Sequence, residues 1–406
     1  MKIILVTTEF INSEGFSGGL ANCIADIARS LVDNGNEVFI VTEGNIYGYE
    51  KWKGIDLYSV DTINISYGLR FINLIFPYFP KYYLINKKIR EICNEKKVDI
   101  IQYPSSSALG MHRIKDVPSV IMMATYLPQF RKAYKKKWIG TISKSWKKDE
   151  LQIKRALYKA DAIFSPSQLV AEMVKYDTKI EVKTLKLPMY VNVESSNKIC
   201  CEEKLYEKKY FLFYGTLGYL KGIDLIAKVL DRLFARYDDV YFTFMGRNLM
   251  MDYNGEKVEA IEYVRRIVEK KYNQRIIYIS ATDSKEKLYN IVSNSLACVL
   301  PSRFDNLPNS CIESMMLGKI VIGTRGASFE ELLDDHDNGL LIDIDDENQL
   351  LEALIEVHDM PEDKRKKMEK KAIDKIRSFS PQSAYENVIS FYKDTIDNYG
   401  KRRNDE

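Results

Sequence analysis

Two carboxylates stand eight positions apart in the stretch Pro301-Ser302-Arg303-Phe304-Asp305-Asn306-Leu307-Pro308-Asn309-Ser310-Cys311-Ile312-Glu313-Ser314. Asp305 falls in a loop that follows an apolar strand. Glu313 falls about one turn into a helix whose start suits Pro308. Such a helix start presents backbone N–H groups and the positive end of the helix dipole, so a diphosphate can be held there with few basic side chains. Asn309 and Ser310 contribute amides of that first turn. The carboxylates are acceptors suited to the hydroxyls of a ribose and a sugar. A capping Asp followed by a surface Glu fits the same spacing, and both readings stay open on these residues alone. A second turn, Gly215-Thr216-Leu217-Gly218-Tyr219-Leu220-Lys221-Gly222, places one lysine just before a helix. Lys221 there is either a diphosphate cation or a solvated turn lysine.

The elements that must carry these residues are read from apolar patterning. Ile3–Val6 is a short run of the kind a buried parallel strand shows. A Gly-rich turn through Gly15, Gly18 and Gly19 follows. Then comes a helix with Leu20, Ile24, Ile27 and Leu31 on one face, closed by Gly35. Val38–Val41 completes a βαβ unit, which predicts a doubly wound parallel sheet. Val98–Gln102, Ser119–Ala124 and Ala162–Ser165 read as further strands. Between Val191 and Lys209 the pattern turns polar, and the linker is placed there. A second series follows: strand Tyr210–Tyr214, a helix from Asp224 to Tyr237 opened by its acidic residue as a cap, and strands Val240–Met245, Ile276–Ile279, Ala297–Leu300 and Ile320–Gly323. The last helix spans roughly Ser383–Tyr399. The expected architecture is α/β, with two Rossmann-like doubly wound domains facing each other across a cleft. The expected boundaries are 1–197, 198–378 and a terminal helix over 379–406 that returns to the first domain.

Composition bounds the function. The 406 residues are more than one ordinary domain needs, and 46% hydrophobic content excludes a disordered chain. With 60 Lys+Arg against 57 Asp+Glu, the formal charge of +3 is too small for nucleic-acid binding through bulk charge. No apolar run is long enough for a membrane-spanning helix, and the N-terminus is strand-like rather than a signal peptide. The six cysteines form no C-x-x-C pair and read as reduced core residues, which predicts a cytoplasmic protein. No G-x-x-x-x-G-K-[ST] loop and no G-x-G-x-x-G spacing occur, which disfavours kinases and dehydrogenases. Asp343-x-Asp345 has the look of a metal-binding pair, but a helix starting near Glu347 makes Asp345 or Asp346 an N-cap instead. His112, His336 and His358 read as surface or capping residues.

The order Asp305-x7-Glu313, Met315-Met316-Leu317-Gly318 and Val321-Ile322-Gly323-Thr324, followed by Glu331-Leu332-Leu333 and Asn338-Gly339-Leu340-Leu341, resembles glycosyltransferase family 4 (group 1). The turn Gly215–Gly222, the Gly18-Gly19 turn and Phe379-Ser380-Pro381 extend the resemblance over nearly the whole chain. It implies a GT-B fold and a retaining, hexosyltransferase-type enzyme using a nucleotide-sugar donor. Carried over by position, Glu313 holds the ribose, Asp305 sits at the donor sugar and Lys221 pairs with the diphosphate. Asp305 and Lys221 are thus the expected catalytic residues. Gly18, Gly19, Gly215, Thr216, Lys221, Arg303, Asn309, Ser310 and Glu313 are the expected donor-binding set. Two positions depart from the family. Thr216 stands where a diphosphate arginine is usual, with Arg303 or Arg325 near enough to substitute. The stretch Met122-Met123-Ala124-Thr125-Tyr126 lacks a usual histidine.

No metal is expected, since helix dipole and Lys221 can neutralise a diphosphate. The acceptor is expected to be a glycan or polyprenyl-linked, in cell-surface polysaccharide synthesis. A sugar-nucleotide-binding subunit without turnover and a GT-B sugar-nucleotide epimerase are the alternatives. Arg131–Lys148 holds eight basic residues and no acid, with Tyr134, Trp138 and Trp146 interleaved, and Phe71–Phe79 is aromatic-rich. These stretches read as a peripheral face for the inner leaflet of an anionic membrane.

Overall fold

The structure is a computed structural model that describes residues 1–11, 18–44, 47–62, 64, 71–72, 79–128, 144–192 and 200–405. The chain divides into two units, Met1–Tyr190 with Phe379–Glu406, and Val191–Ser378. Part of the predicted linker, residues 193–199, lies outside the described residues, as do residues 73–78 of the aromatic run and Gly15. Residues 131–143 of the basic run also lie outside, and of Lys144, Lys147 and Lys148 only the helical backbone is described.

The first unit holds strands β1 Lys2–Thr7, β2 Glu37–Gly44, β3 Gly48–Trp52, β4 Ile55–Asp61, β5 Ile100–Pro104, β6 Ser119–Met122, β7 Ala162–Ser165 and β8 Lys183–Thr184. Its helices are α1 Gly19–Asp33, α2 Phe79–Lys96, α3 Lys144–Lys159 and α4 Gln168–Thr178. The sheet order is β3-β4-β2-β1-β5-β6-β7-β8, parallel except for the antiparallel edge strand β3. Ile3 through Val6 are fully buried, which is why that run is apolar without alternation. Helix α1 buries Ala21, Ile24, Ala25, Ile27, Ala28 and Leu31, one stripe at helical spacing. The terminal helix, Pro381–Asp405, belongs to this core: Val388, Ile389, Phe391 and Tyr392 pack with Ile3, Leu5 and Ile24. The buried Tyr392 hydroxyl donates to Gln102 Oε1 on β5 at 2.5 Å, so even its polar tip is satisfied.

The second unit is a six-stranded parallel sheet of order β13-β10-β9-β14-β15-β16. Its strands are β9 Lys209–Tyr214, β10 Val240–Gly246, β13 Ile276–Ser280, β14 Cys298–Leu300, β15 Val321–Thr324 and β16 Leu340–Ile342. The chain adds a hairpin of β11 Met250–Tyr253 and β12 Glu256–Glu259 directly after β10. Helices α5 Ile223–Arg236, α6 Ala260–Ile267, α7 Lys285–Ser293, α8 Asn309–Met316, α9 Glu347–Asp359 and α10 Glu362–Ile376 cover the sheet. The terminal helix Pro381–Asp405 is α11. Phe211, Phe213, Phe242 and Phe244 form the aromatic centre of the core, with ring centroids of the neighbouring pairs 4.8–6.5 Å apart.

The strands read from sequence are present within a few residues. β3, β8 and the β11–β12 hairpin were not legible, being short, edge-lying or largely polar; β4, an interior strand whose buried Ile55, Leu57 and Val60 are interrupted by polar residues, was not read either. The predicted strand through Ala124 ends at Met122. Helix α5 is not capped by Asp224. Its N-cap is Gly222, in the left-handed region at φ 74°, while Asp224 is buried within the first turn.

Candidate functional site

In the second unit the chain leaves β9 toward β10 and β13, then returns to add β14, β15 and β16 on the other side. β9 and β14 therefore flank the point where strand order reverses. Ligands of open parallel sheets bind outside the carboxyl ends of the strands at such a point. The loop after β9 carries Gly215–Gly222, and the loop after β14 carries Pro301–Pro308, so the topology sets both predicted motifs side by side.

The close fit of these loops is imposed by glycine. A Cβ on Gly222 would lie 2.1 Å from the Pro301 carbonyl oxygen, so no other residue lets the two loops approach. The Arg303 amide donates to the Leu220 carbonyl at 2.8 Å, sealing one loop to the other. Across this junction the Lys221 ammonium donates to Asp305 Oδ2, so the two expected catalytic residues are paired. Both are partly accessible, with side chains 32% and 19% exposed. Ser328 Oγ, from the loop after β15, donates to the Asp305 carbonyl at 3.3 Å and braces it from the other side.

Glu313 lies on α8 and is 7% exposed. A buried carboxylate needs a partner, and Lys285, at the start of α7, donates to its Oε1 at 2.7 Å. Asn309 and Ser310 begin α8, and no side chain caps this helix. Its first turn is held by Tyr214, whose hydroxyl donates to the Ser310 carbonyl at 2.5 Å. Burial pushes the Tyr214 phenol well above the ordinary tyrosine value, so it stays a neutral donor. Gly215 is exposed at φ 132°, with open space where a side chain would project. Thr216 beside it is half-buried and uncharged.

Arg303 is placed differently from the other cations. Its side chain is 8% exposed and grips Asp224 with two nitrogens, at 2.7 and 2.9 Å. It also donates to Asp345 at 2.7 Å, and its guanidinium lies 3.8 Å over the Tyr219 ring. Burial works against its charge, but the two carboxylates outweigh it and hold its pKa above the usual arginine value. Arg303 thus ties the Lys221 turn to the Asp305 loop from beneath. Arg325 donates to the Leu341 carbonyl at 2.7 Å and pairs with Asp335 and Asp343. Asp346 caps α9 by accepting from the Asn348 and Gln349 amides at 2.9 Å, and Asp345 is engaged by Arg303. Among the described residues no group of three or more His, Cys, Asp or Glu is placed to hold a metal.

Gly18 and Gly19 lie in the first unit, at the turn into α1. Glu9 Oε1 accepts from the Ala21 amide at 3.2 Å, and a Cβ on Gly18 would meet that oxygen at 2.6 Å. After β6, the Thr125 carbonyl accepts from the Oγ of Ser105, which follows β5, at 3.2 Å, and the buried Tyr126 hydroxyl donates to Asp177. In the second unit His336 is exposed and His358 is half-buried against the Tyr237 ring, each beside carboxylates. Sequence reasoning missed Glu9, Asp224 and Lys285. Asp224 looked like a helix cap, and nothing in the spacing tied Lys285 to a carboxylate 28 positions away.

Comparison with known proteins follows this division. The family described as "Glycosyl transferases group 1" matches residues 201–375, and "Glycosyltransferase Family 4" matches residues 17–182. An uncharacterized glycosyltransferase of Methanocaldococcus jannaschii is 21% identical over 84% of this chain and 85% of its own. An uncharacterized 41.2 kDa protein in the cps region of Klebsiella pneumoniae is 24% identical over 52% of this chain and 56% of its own. The solved structure of the Anabaena protein HepE in complex with UDP and glucose has a TM-score of 0.70 at 14% identity, covering 97% of this chain and 99% of that one. The fold is GT-B. Among the described residues no helix is long and apolar enough to cross a membrane.

Proposed function

The chain belongs to the group 1/family 4 glycosyltransferases, and we propose that it is a retaining enzyme that moves a sugar from a nucleoside diphosphate to a glycan or lipid-linked acceptor in polysaccharide synthesis. The single observation that carries this reading is the Lys221–Asp305 pair at the β9/β14 reversal, next to the uncapped start of α8. Transfer breaks the bond between the anomeric carbon and the diphosphate oxygen, which keeps the electron pair. The growing negative charge calls for fixed donors in place before reaction. Lys221 and the first-turn amides of α8, Asn309 and Ser310 among them, are such donors, and Gly215 leaves room for the diphosphate beside Thr216. Glu313 accepts from the ribose hydroxyls, and Asp305 accepts from the donor sugar. Arg303 acts from below, by keeping both loops in register. The half-matching relative in a cps region supports polysaccharide as the product class.

The test is a thermal-shift screen across nucleotide sugars, followed by anomeric analysis of the product. A site filled at about 100 times its dissociation constant adds about 2.7 kcal/mol of stability. Expected are one stabilising donor and a product that keeps the donor's anomeric configuration. Stabilisation without any turnover would favour a binding subunit, and turnover of the nucleotide sugar without acceptor would favour an epimerase. The basic run Arg131–Lys148 supports attachment to an anionic inner leaflet, with the aromatic residues among it entering the headgroup layer.

A further inference from the structure

Resting on the reading of this site as a nucleotide-sugar site, we propose that Arg247 is a diphosphate-binding cation of the donor site, reaching it from the end of β10. Strand register places Arg247 there. β9 and β10 are parallel neighbours, Met245 opposite Tyr214, so their ends emerge side by side at the mouth of the sheet. A Cβ on Gly246 would lie 1.9 Å from the Gly215 carbonyl oxygen, which shows how tightly the two strand ends meet. Just beyond that contact, the Leu217 amide donates to the Arg247 carbonyl at 2.8 Å, and the Leu249 amide returns to the Leu217 carbonyl at 3.1 Å. Arg247 is thereby fixed beside Thr216 and Leu217, on the turn that leads to Lys221. The next residue is pinned as well: Asn248 donates to Glu259 at 2.9 Å and accepts from the Ile261 amide at 3.1 Å.

Arg247 also differs from the neighbouring cations in what its charge meets. Lys221, Lys285, Arg303 and Arg325, the other cations near the carboxyl ends of this sheet, are each bound to a carboxylate. A diphosphate arriving there must either break one of these pairs or find an uncommitted cation. Among the described residues of this mouth, Arg247 is the exposed cation whose side chain has no ion pair or hydrogen bond. The guanidinium fork matches a phosphate with two parallel donors, so Arg247 adds to Lys221 a cation that breaks no pair of its own when it binds. Arg247 also complements the uncharged Thr216 next to it.

Calorimetric titration with UDP, ADP and GDP, and with the matching monophosphates, decides the matter. For the diphosphate that wild-type protein binds, Arg247→Ala should weaken binding roughly 10- to 100-fold. The matching monophosphate should be weakened less than about 3-fold, and Arg247→Lys should restore part of the loss. The thermal midpoint without ligand should be unchanged, because the side chain bonds to none of the described residues. If Arg247→Ala binds the diphosphate like wild type while Lys221→Ala does not, the donor site stands and Arg247 is excluded from it. Equal weakening of monophosphate and diphosphate also overturns the assignment. A wild-type protein that binds none of the diphosphates overturns the donor-site reading itself.

Discussion

The two units use the same strand–turn–helix geometry and treat the start of the helix in opposite ways. In the first unit, α1 begins at Gly19 and its Ala21 amide is already taken by the Glu9 carboxylate at 3.2 Å. In the second, α8 begins after Pro308 with no side-chain cap, and the nearby carboxylates Asp305 and Glu313 are bound to lysines instead. A helix start attracts anions in general. What differs is where the nearby carboxylate goes: in the first unit onto the helix amide, in the second onto a lysine. The lesson is that a doubly wound sheet offers several such turns, and on the proposed reading the side chains at the strand ends decide which of them accepts a diphosphate.

The largest expected effect probes what holds the second mouth open. Asp224→Ala leaves the buried Arg303 without its two-pronged partner, and breaking a buried pair typically costs about 3–5 kcal/mol. Asp345 still meets two of its nitrogens and the Tyr219 carbonyl a third, so the low end, about 3 kcal/mol, is expected in denaturant unfolding, together with loss of donor binding. Unchanged stability would mean that Arg303 is not the tie between the two loops. Next comes Lys221, the cation proposed to act in catalysis. Lys221→Ala should lower kcat by roughly 10²–10³-fold, about 2.7–4 kcal/mol of transition-state stabilisation. With fixed donors doing this work, activity should persist in EDTA, and a complete loss reversed by magnesium would contradict that.

A smaller effect is expected from the first unit. Each lysine near an anionic leaflet contributes about 1 kcal/mol. Changing Lys135, Lys136 and Lys137 to Glu should abolish salt-sensitive sedimentation with anionic vesicles and leave nucleotide binding intact. Absence of vesicle binding by the wild type at low salt would reduce the run to a solvated face. The smallest effect belongs to Glu9. Glu9→Gln removes a charge from the α1 dipole, and should cost about 0.3–1 kcal/mol of stability.

How far the sequence could be read follows from what each signal depends on. Fully buried parallel strands such as Ile3–Val6 are continuous apolar runs and are legible one by one. The polar hairpin Met250–Glu259 has no such run, since it pairs only with itself. The turn glycines Gly215 and Gly222 were legible because each serves a local backbone conformation, at φ 132° and 74°. The partners of Arg303 were not, because Asp224 and Asp345 come to it from 79 and 42 positions away, through the order of the strands. Spacing carried the pair Asp305 and Glu313, which share one loop and helix. It gave no sign of Lys285, or of Glu9 closing the other helix, because both contacts depend on tertiary folding.

The most direct measurement is amide hydrogen exchange of the intact protein, with and without a saturating concentration of the nucleoside diphosphate that stabilises it most. If the donor is held at the β9/β14 reversal, exchange should slow in 215–222 and across the start of α8, through residues 305–313. Protection confined to the first unit, or none in either segment at saturation, would contradict the assignment of the donor site.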